Sequence, residues 1–302
     1  MSFAGEVKRE LLNVENAACC EQSRARGLLL FGREFSARRI SILTENSSVA
    51  EAFANAAHLF SGSTPEIERS GSGNYKIAIE DKSAADAIMS EVISFGNDAK
   101  KQLSIGVIER ECCKAAFVRG AFLAAGTVTN PETEYHLEFS CPTRSVANEL
   151  MELILGLGVE TKLTNRSGKS IVYIKKSGAI EDMLTIMGAT ETSMMLMGAK
   201  MYKDVRNTVN RRMNFENANA VRSVDAAIKQ YEAIALIEKK QGLDSLPKEL
   251  KKTAEMRLTN PEASTGEILR MLGDGLSLSG LNHRFKKLIT IAGEIKKNDG
   301  KH

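Results

Sequence analysis

The chain has 302 residues, 43% hydrophobic and 26% charged, with no Trp and a 5% share of aromatic residues. That balance suits a soluble globular protein of two or three domains. It excludes a membrane-embedded chain, because no stretch approaches the run of about 20 apolar residues that spans a bilayer. The formal net charge of +3 is unevenly placed: residues 206–302 hold 18 Lys+Arg against 12 Asp+Glu, and residues 1–205 hold the other 23 against 26. An anionic partner is therefore expected at the basic C-terminal third.

In chain order, Met1 to Leu12 is charged (Glu6, Lys8, Arg9, Glu10) and lacks an apolar run, so a cytoplasmic protein without a secretory leader is expected. The five cysteines are Cys19, Cys20, Cys112, Cys113 and Cys141, an odd number of which four sit as adjacent pairs. Adjacent pairs lack zinc-finger spacing and no His lies near them in sequence. The expectation is buried or reduced bystander cysteines, with a redox role as the other reading, and no metal and no cofactor.

The first two thirds contain an internal repeat. Arg26-Gly27-Leu28-Leu29-Leu30-Phe31-Gly32 resembles Arg119-Gly120-Ala121-Phe122-Leu123-Ala124-Ala125-Gly126. Alternating Ile40 to Leu43 answers Leu137 to Phe139, and Ser48-Val49-Ala50-Glu51 answers Ser145-Val146-Ala147-Asn148. Arg69-Ser70-Gly71 answers Arg166-Ser167-Gly168, and each precedes a strand-like run, Tyr75 to Ile79 and Ile171 to Ile174. The offset stays between 93 and 97 residues throughout, which a drifting chance match would not do. The predicted fold is α+β: two halves, about 20–104 and 113–205, form a domain over 1–205 around a pseudo-twofold axis. Gly27 and Gly120 lie where two helices can approach closely, since glycine has no Cβ.

Val118 to Gly126 is similar to the signature helix of LAGLIDADG homing endonucleases. The resemblance implies two αββαββα halves joined by a helix pair, a DNA-binding saddle of strands, and a metal-binding acid just before the last glycine of each helix. Here Ala125 stands at that position in the second copy and Phe31 or Gly32 in the first, and none of them can coordinate Mg²⁺. Without the metals, phosphodiester attack loses nucleophile activation and leaving-group stabilisation. Glu34, just past the first helix, is the remaining acid nearby, and the second copy has no matching acid before Glu132. The expectation is a scaffold without nuclease chemistry and no catalytic residues.

Over 206–222, Asn207, Asn210, Asn214, Asn217 and Asn219 alternate with Arg206, Arg211, Arg212 and Arg222. Asn favours caps and turns, so a linker with a broken helix is expected. Two readings stay open: a solvated hinge, or Arg211 and Arg212 reaching phosphates.

The remaining residues, 223–302, read as an all-α DNA-binding domain. Val224, Ile228, Tyr231 and Ala235 share one helical face, and Gly242 ends that helix. Ser245-Leu246-Pro247 predicts an N-cap and first turn, for a helix running to about Leu258 and stopped by Asn260-Pro261. Ser264-Thr265-Gly266-Glu267 reads as a capping box starting a short helix with Ile268, Leu269 and Leu272 inward. Gly273-Asp274-Gly275 predicts a tight turn, and a basic helix follows from near Ser277 or Ser279. Leu281, Phe285 and Leu288 face inward at i, i+4, i+7. The opposite face carries Ser279, His283 and Lys286, flanked by Asn282, all suited to base edges. Arg284 and Lys287 on the flanks are expected at phosphates, with Ser277 and Ser279 at an anion-attracting helix N-terminus. Ser264, opening the first helix, joins these candidate DNA contacts. A short helix, a glycine turn and a basic helix is helix-turn-helix geometry.

The pairing of the two modules resembles the WhiA family of Gram-positive bacteria. The resemblance runs through Phe3-Ala4-Gly5-Glu6-Val7-Lys8-Arg9-Glu10-Leu11, Arg119 to Val128, Ala218-Asn219, Asn260 to Ser264 and Ser277 to Arg284. The chain departs from the family at Leu278, often basic there, and at Phe285 and Lys286, often Leu and Arg. The resemblance implies a non-enzymatic transcriptional regulator of sporulation, cell division or chromosome segregation, acting on double-stranded DNA at the nucleoid. It also implies a C-terminal module similar to region 4 of sigma factors, and makes a sigma factor or another regulator the candidate protein partner. The competing readings are an active endonuclease and a protein-interaction scaffold whose DNA binding is incidental.

Overall fold

The computed structural model describes residues 2–71, 73–95, 101–103, 108, 110–273 and 275–299. Asp274 of the expected tight turn and residues 300–302 of the expected C-terminal domain lie outside the described residues. Helix α1 (Phe3–Leu12) is capped by the Ser2 hydroxyl, which accepts from Gly5 N, and buries Phe3, Val7 and Leu11 at i, i+4, i+8. The first half-repeat then runs α2 (Ala18–Leu30), β1 (Glu34–Phe35), β2 (Ile40–Thr44), α3 (Ser47–Ser61), β3 (Glu68–Arg69), β4 (Tyr75–Ile79) and α4 (Lys82–Val92). A hairpin of β5 (Ile93–Phe95) and β6 (Lys101–Leu103) follows. The second half repeats the order as α5 (Glu111–Ala125), β7 (Gly126–Val128), β8 (Leu137–Cys141), α6 (Arg144–Gly156), β9 (Lys162–Arg166), β10 (Lys169–Ile174) and α7 (Ser177–Met187).

Each half is thus αββαββα. Its antiparallel sheet has the same order in both copies, β1-β2-β4-β3 and β7-β8-β10-β9. The alternation legible in the strands sets the pleat: Ile40, Ile42, Ile77 and Ile79 of the first half and Leu137, Phe139, Val172 and Ile174 of the second are buried in one continuous core. The α3 and α6 caps also correspond, Asn46 accepting from Ser48 N and Val49 N, and Thr143 accepting from Val146 N.

Helices α2 and α5 cross at the two predicted glycines. A Cβ on Gly27 would lie 2.2 Å from the Phe117 carbonyl oxygen, and one on Gly120 would lie 2.0 Å from the Arg24 carbonyl oxygen. Both are below any tolerable contact and both strike backbone, so glycine is required at each point of closest approach. Buried Arg26 and Arg119 precede the two glycines. Arg26 Nε donates to the Glu91 carbonyl of α4 (2.7 Å) and its Nη2 to the Glu91 carboxylate (3.0 Å). Arg119 Nε donates to the Met187 carbonyl of α7 (2.5 Å), and its Nη1 donates to Asn16. Each arginine ties a central helix to the last helix of its own half. The charge is desolvated, and the carbonyl and amide partners offset that loss.

The structure also brings together what linear spacing keeps apart. Cys19, Cys20, Cys112 and Cys113 stand in the first turns of α2 and α5, and their four sulfurs lie within 4.8 Å of one another. The four cysteines, read in sequence as bystanders, are gathered into a single four-sulfur cluster. The helix crossing that joins Gly27 to Gly120 also joins these turns, which share the 93-residue offset of the repeat.

Helix α8 (Thr190–Gln241) starts where the Glu10 carboxylate accepts from Glu191 N (2.7 Å) and Thr192 N (3.0 Å). It is continuous for 52 residues, so the expected turn-rich break over 206–222 is corrected: these residues are helical and exposed. Five Asn lower helix propensity by a few tenths of a kcal/mol each, too little to stop a helix propagating between packed ends. A 3-10 turn (Leu243–Ser245), α9 (Lys248–Thr259), α10 (Thr265–Leu272) and α11 (Leu278–Asp299) complete the chain. Two compact units result, residues 1–204 and 205–302. Among the described residues, no helix is long and apolar enough to cross a membrane.

Candidate nucleic-acid interface

The second unit has its own core: Ala233, Ile234 and Ile237 of α8, Leu250 and Ala254 of α9, Ile268 and Leu272 of α10, and Leu281, Phe285, Leu288 and Ala292 of α11. The inward face of α8 differs from the expected one. Val224, Ile228 and Tyr231 are exposed, and Ala227, Gln230, Ala233, Ile234 and Ile237 are buried instead. Ala233, Ile234 and Ile237 meet the core of this unit, whereas the larger apolar residues suggested the wrong stripe. The start of α9 shifts likewise: Pro247 (φ −55°) occupies the cap, and the Ser245 hydroxyl donates back to the Gly242 carbonyl at 2.7 Å.

The capping box forms as expected. Glu267 N donates to the Ser264 hydroxyl (3.3 Å), and Ser264 N donates to the Glu267 carboxylate (2.7 Å). Those two bonds, the backbone one first, hold the Glu267 carboxyl below the usual carboxylate range. Gly273 (φ +65°) ends α10 in the left-handed region that glycine adopts freely, and its N–H donates to the Leu269 carbonyl. Ser277 then caps α11, its hydroxyl accepting from Gly280 N at 3.1 Å.

Buried Arg257, which sequence reasoning passed over, sets the turn before α10. Its Nη1 donates to the carbonyls of Asn260 (3.3 Å), Pro261 (3.4 Å) and Ala263 (2.5 Å). Its guanidinium stands over the Phe285 ring, 5.3 Å from the centroid. Burial depresses its pKa. One side chain thus fixes the loop into α10 and touches the core side of α11. The signal in sequence was weak: an arginine four residues before Pro261 is common on solvated helix ends.

Leu281, Phe285 and Leu288 are all buried, as the i, i+4, i+7 spacing predicts. On the outward arc of α11, Ser279, Asn282, His283, Lys286 and Lys287 are exposed, and Ser277 is exposed at its N-terminus. At 100° per residue Thr290 falls on the same line as His283 and Lys286, a position the sequence reading omitted. A shallow groove of about 370 Å³ runs along this line, lined by His283, Lys286, Lys287, Thr290 and Ile291. Hydroxyl, imidazole and ammonium groups lie within one helical face wide enough for a major groove.

Four expected contacts are placed elsewhere. The Arg284 side chain is 13% exposed and its Nη2 donates to Glu249 of α9 at 3.2 Å. It sits only 60° from Leu281 around the axis, on the edge of the buried arc, so α9 rather than solvent receives it. The Ser264 hydroxyl is occupied by the capping box. Arg211 and Arg212 are exposed on α8, with Arg212 paired to Glu216 at 2.9 Å. They lie about 20 residues, roughly 30 Å along the helix, before Ala233 and do not join the α11 face.

In the first unit, a cavity of about 700 Å³ lies where α2 and α5 end, lined among others by Phe31, Gly32, Glu34, Ala125, Ser140 and Lys169. Of its described lining residues, Glu34 carries the only carboxylate. Arg33, Arg39 and Lys76 line the adjoining cleft with it, a setting that opposes a divalent cation.

A family model of the WhiA LAGLIDADG-like domain matches residues 114–206, and one of the WhiA C-terminal HTH domain matches residues 209–292. The chain is 34% identical over 311 residues to the probable cell division protein WhiA of Ruminiclostridium cellulolyticum, with 99% of each chain covered. It is 34% identical over 315 residues to the protein of the same description in Clostridium tetani, covering 98% of this chain and 99% of that one. The crystal structure of full-length DUF199/WhiA from Thermotoga maritima has the same fold, with a TM-score of 0.58 and 24% identity over 97% of this chain and 99% of that one.

Proposed function

The chain belongs to the WhiA family, and on that premise we propose that it is a sequence-specific DNA-binding transcriptional regulator without nuclease activity. The supporting observation is the outward face of α11. Ser279, Asn282, His283, Lys286 and Thr290 serve no packing purpose there, yet they present hydrogen-bonding groups in one line. In this reading α11 enters the major groove, Lys287 and the free amides near Ser277 meet phosphates, and Arg284 holds α11 to α9. The curated relatives are named as probable cell division proteins, and we extend that role to this chain as control of division, chromosome segregation or sporulation genes at the nucleoid. A sigma factor or another regulator is the protein partner to test.

Loss of nuclease chemistry follows from the end of the α2–α5 pair, where a single carboxylate stands among cations instead of an acid from each helix. Duplex binding is measured at rising salt in Mg²⁺, with strand integrity followed on plasmid. Affinity is expected to fall steeply with salt, and Lys287→Ala is expected to lower the log–log slope by about 1. Salt-insensitive binding would sink the DNA reading, and nicked plasmid would sink the non-nuclease one.

A further inference from the structure

We propose that Cys19, Cys20, Cys112 and Cys113 form a tetrathiolate site for one thiophilic, tetrahedral cation of the Zn²⁺ class, clamping the N-terminal ends of α2 and α5 together. All four sulfurs lie within 4.8 Å of one another, and the two neighbouring pairs are each 4.0 Å apart. A tetrahedral Zn²⁺ with bonds of about 2.3 Å requires sulfur–sulfur edges of about 3.8 Å. The cluster therefore needs only a contraction of some tenths of an ångström to about 1 Å, which side-chain rotation supplies. A multi-iron cluster needs room among the ligands for its own irons and sulfides, and these sulfurs leave none. Four soft ligands with no oxygen or imidazole among them select zinc over the hard cations.

The backbone at both helix starts favours thiolates. Both pairs occupy the first turn of a helix, where free amides and the helix dipole favour negative charge. The hydroxyl of fully buried Ser23, one turn along α2 from Cys19 and Cys20, has no hydrogen-bond partner among the described residues, and a second-layer donor to a bound thiolate would stand there. Cys20 and Cys113 are buried, Cys19 is half-buried and Cys112 is exposed beside a cleft of about 300 Å³, which provides an entry path. As each thiol ligates, its S–H proton leaves to buffer, so affinity rises with pH.

Disulfides are the chemical rival. Neighbouring cysteines in one helix point about 100° apart, which disfavours a bond within either pair, and links between α2 and α5 would consume thiols rather than bind metal.

The test uses the full chain purified under reducing conditions. Elemental analysis is expected to return one zinc per chain, lost in Cys20→Ser/Cys113→Ser and kept in Cys141→Ser. Co²⁺ added to metal-stripped protein is expected to give thiolate-to-cobalt charge transfer and intense tetrahedral bands that saturate at one equivalent. Chelation is expected to lower Tm by about 10 °C. If the double variant does not fold, Cys112→Ser, altered only at an exposed side chain, is expected to fold and to bind Co²⁺ at least tenfold more weakly. The proposal fails if folded parent protein carries sub-stoichiometric metal and shows no saturable cobalt spectrum. It fails equally if thiol counting finds disulfides and the reduced protein still takes up no Co²⁺.

Discussion

Helices α2 and α5 meet backbone to backbone, through glycines that admit no other residue, while α10 and α11 meet through Ile268, Leu272, Leu281 and Phe285 and leave half of α11 outside. In the first pair nearly every position is fixed by packing. The end that would carry chemistry in an endonuclease carries Phe31, Gly32 and Ala125. In the second pair folding leaves the residues of one face unconstrained, so their character has to be explained by what they touch. The two pairs separate residues needed to hold a scaffold from residues available for recognition.

The largest expected effect breaks the first pair. Gly120→Val forces a Cβ to 2.0 Å from the Arg24 carbonyl, and residues 1–204 are expected to lose more than about 4 kcal/mol, read as loss of their thermal transition. Next, Arg257→Met leaves the carbonyls of Asn260, Pro261 and Ala263 without their donor. It is expected to destabilise residues 205–302 by about 2–4 kcal/mol in denaturant unfolding and to weaken DNA binding through the loss of α10 geometry. His283→Ala/Lys286→Ala makes the opposite split: affinity for a specific site falls about 100-fold while Tm is unchanged, because both side chains are exposed. Arg284→Ala sharpens the boundary between the two classes, costing about 1 kcal/mol of unfolding free energy through lost packing and the Glu249 contact, with the recognised sequence unaltered.

The smallest effect concerns Lys8, whose pKa burial lowers to about 8 against an opposing pull from Glu45. The unfolded chain binds more protons than the folded one between about pH 8 and the ordinary lysine value of 10.5, so this group makes stability rise with pH across that window. Lys8→Met is expected to flatten that rise in denaturant titrations.

Much of this was legible beforehand where local pattern and tertiary demand agree. The 93-residue offset, the strand alternation, the two glycines and the inward triad of α11 all express periods set by backbone geometry. Reading failed where a tertiary neighbour decides the matter. Asn-rich 206–222 looked turn-prone but continues a helix anchored on both sides. Val224, Ile228 and Tyr231 suggested a stripe that the alanine face displaces. Arg284 looked solvated until Glu249 of α9 was placed beside it. The four cysteines had a usable signal: the offset that pairs Gly27 with Gly120 also pairs Cys19 with Cys112 and Cys20 with Cys113. Zinc-finger spacing describes ligands within one segment and does not detect sulfurs gathered by two helix starts.

The central claim is that α11 reads DNA sequence with its exposed face. The direct measurement is recovery of sheared genomic DNA by the full chain in Mg²⁺ at about 0.15 M salt, beside the folded His283→Ala/Lys286→Ala variant. The account predicts enrichment of a common motif by the parent, loss of that motif in the variant, and uncut strands. Equal, motif-free recovery by both proteins would contradict it.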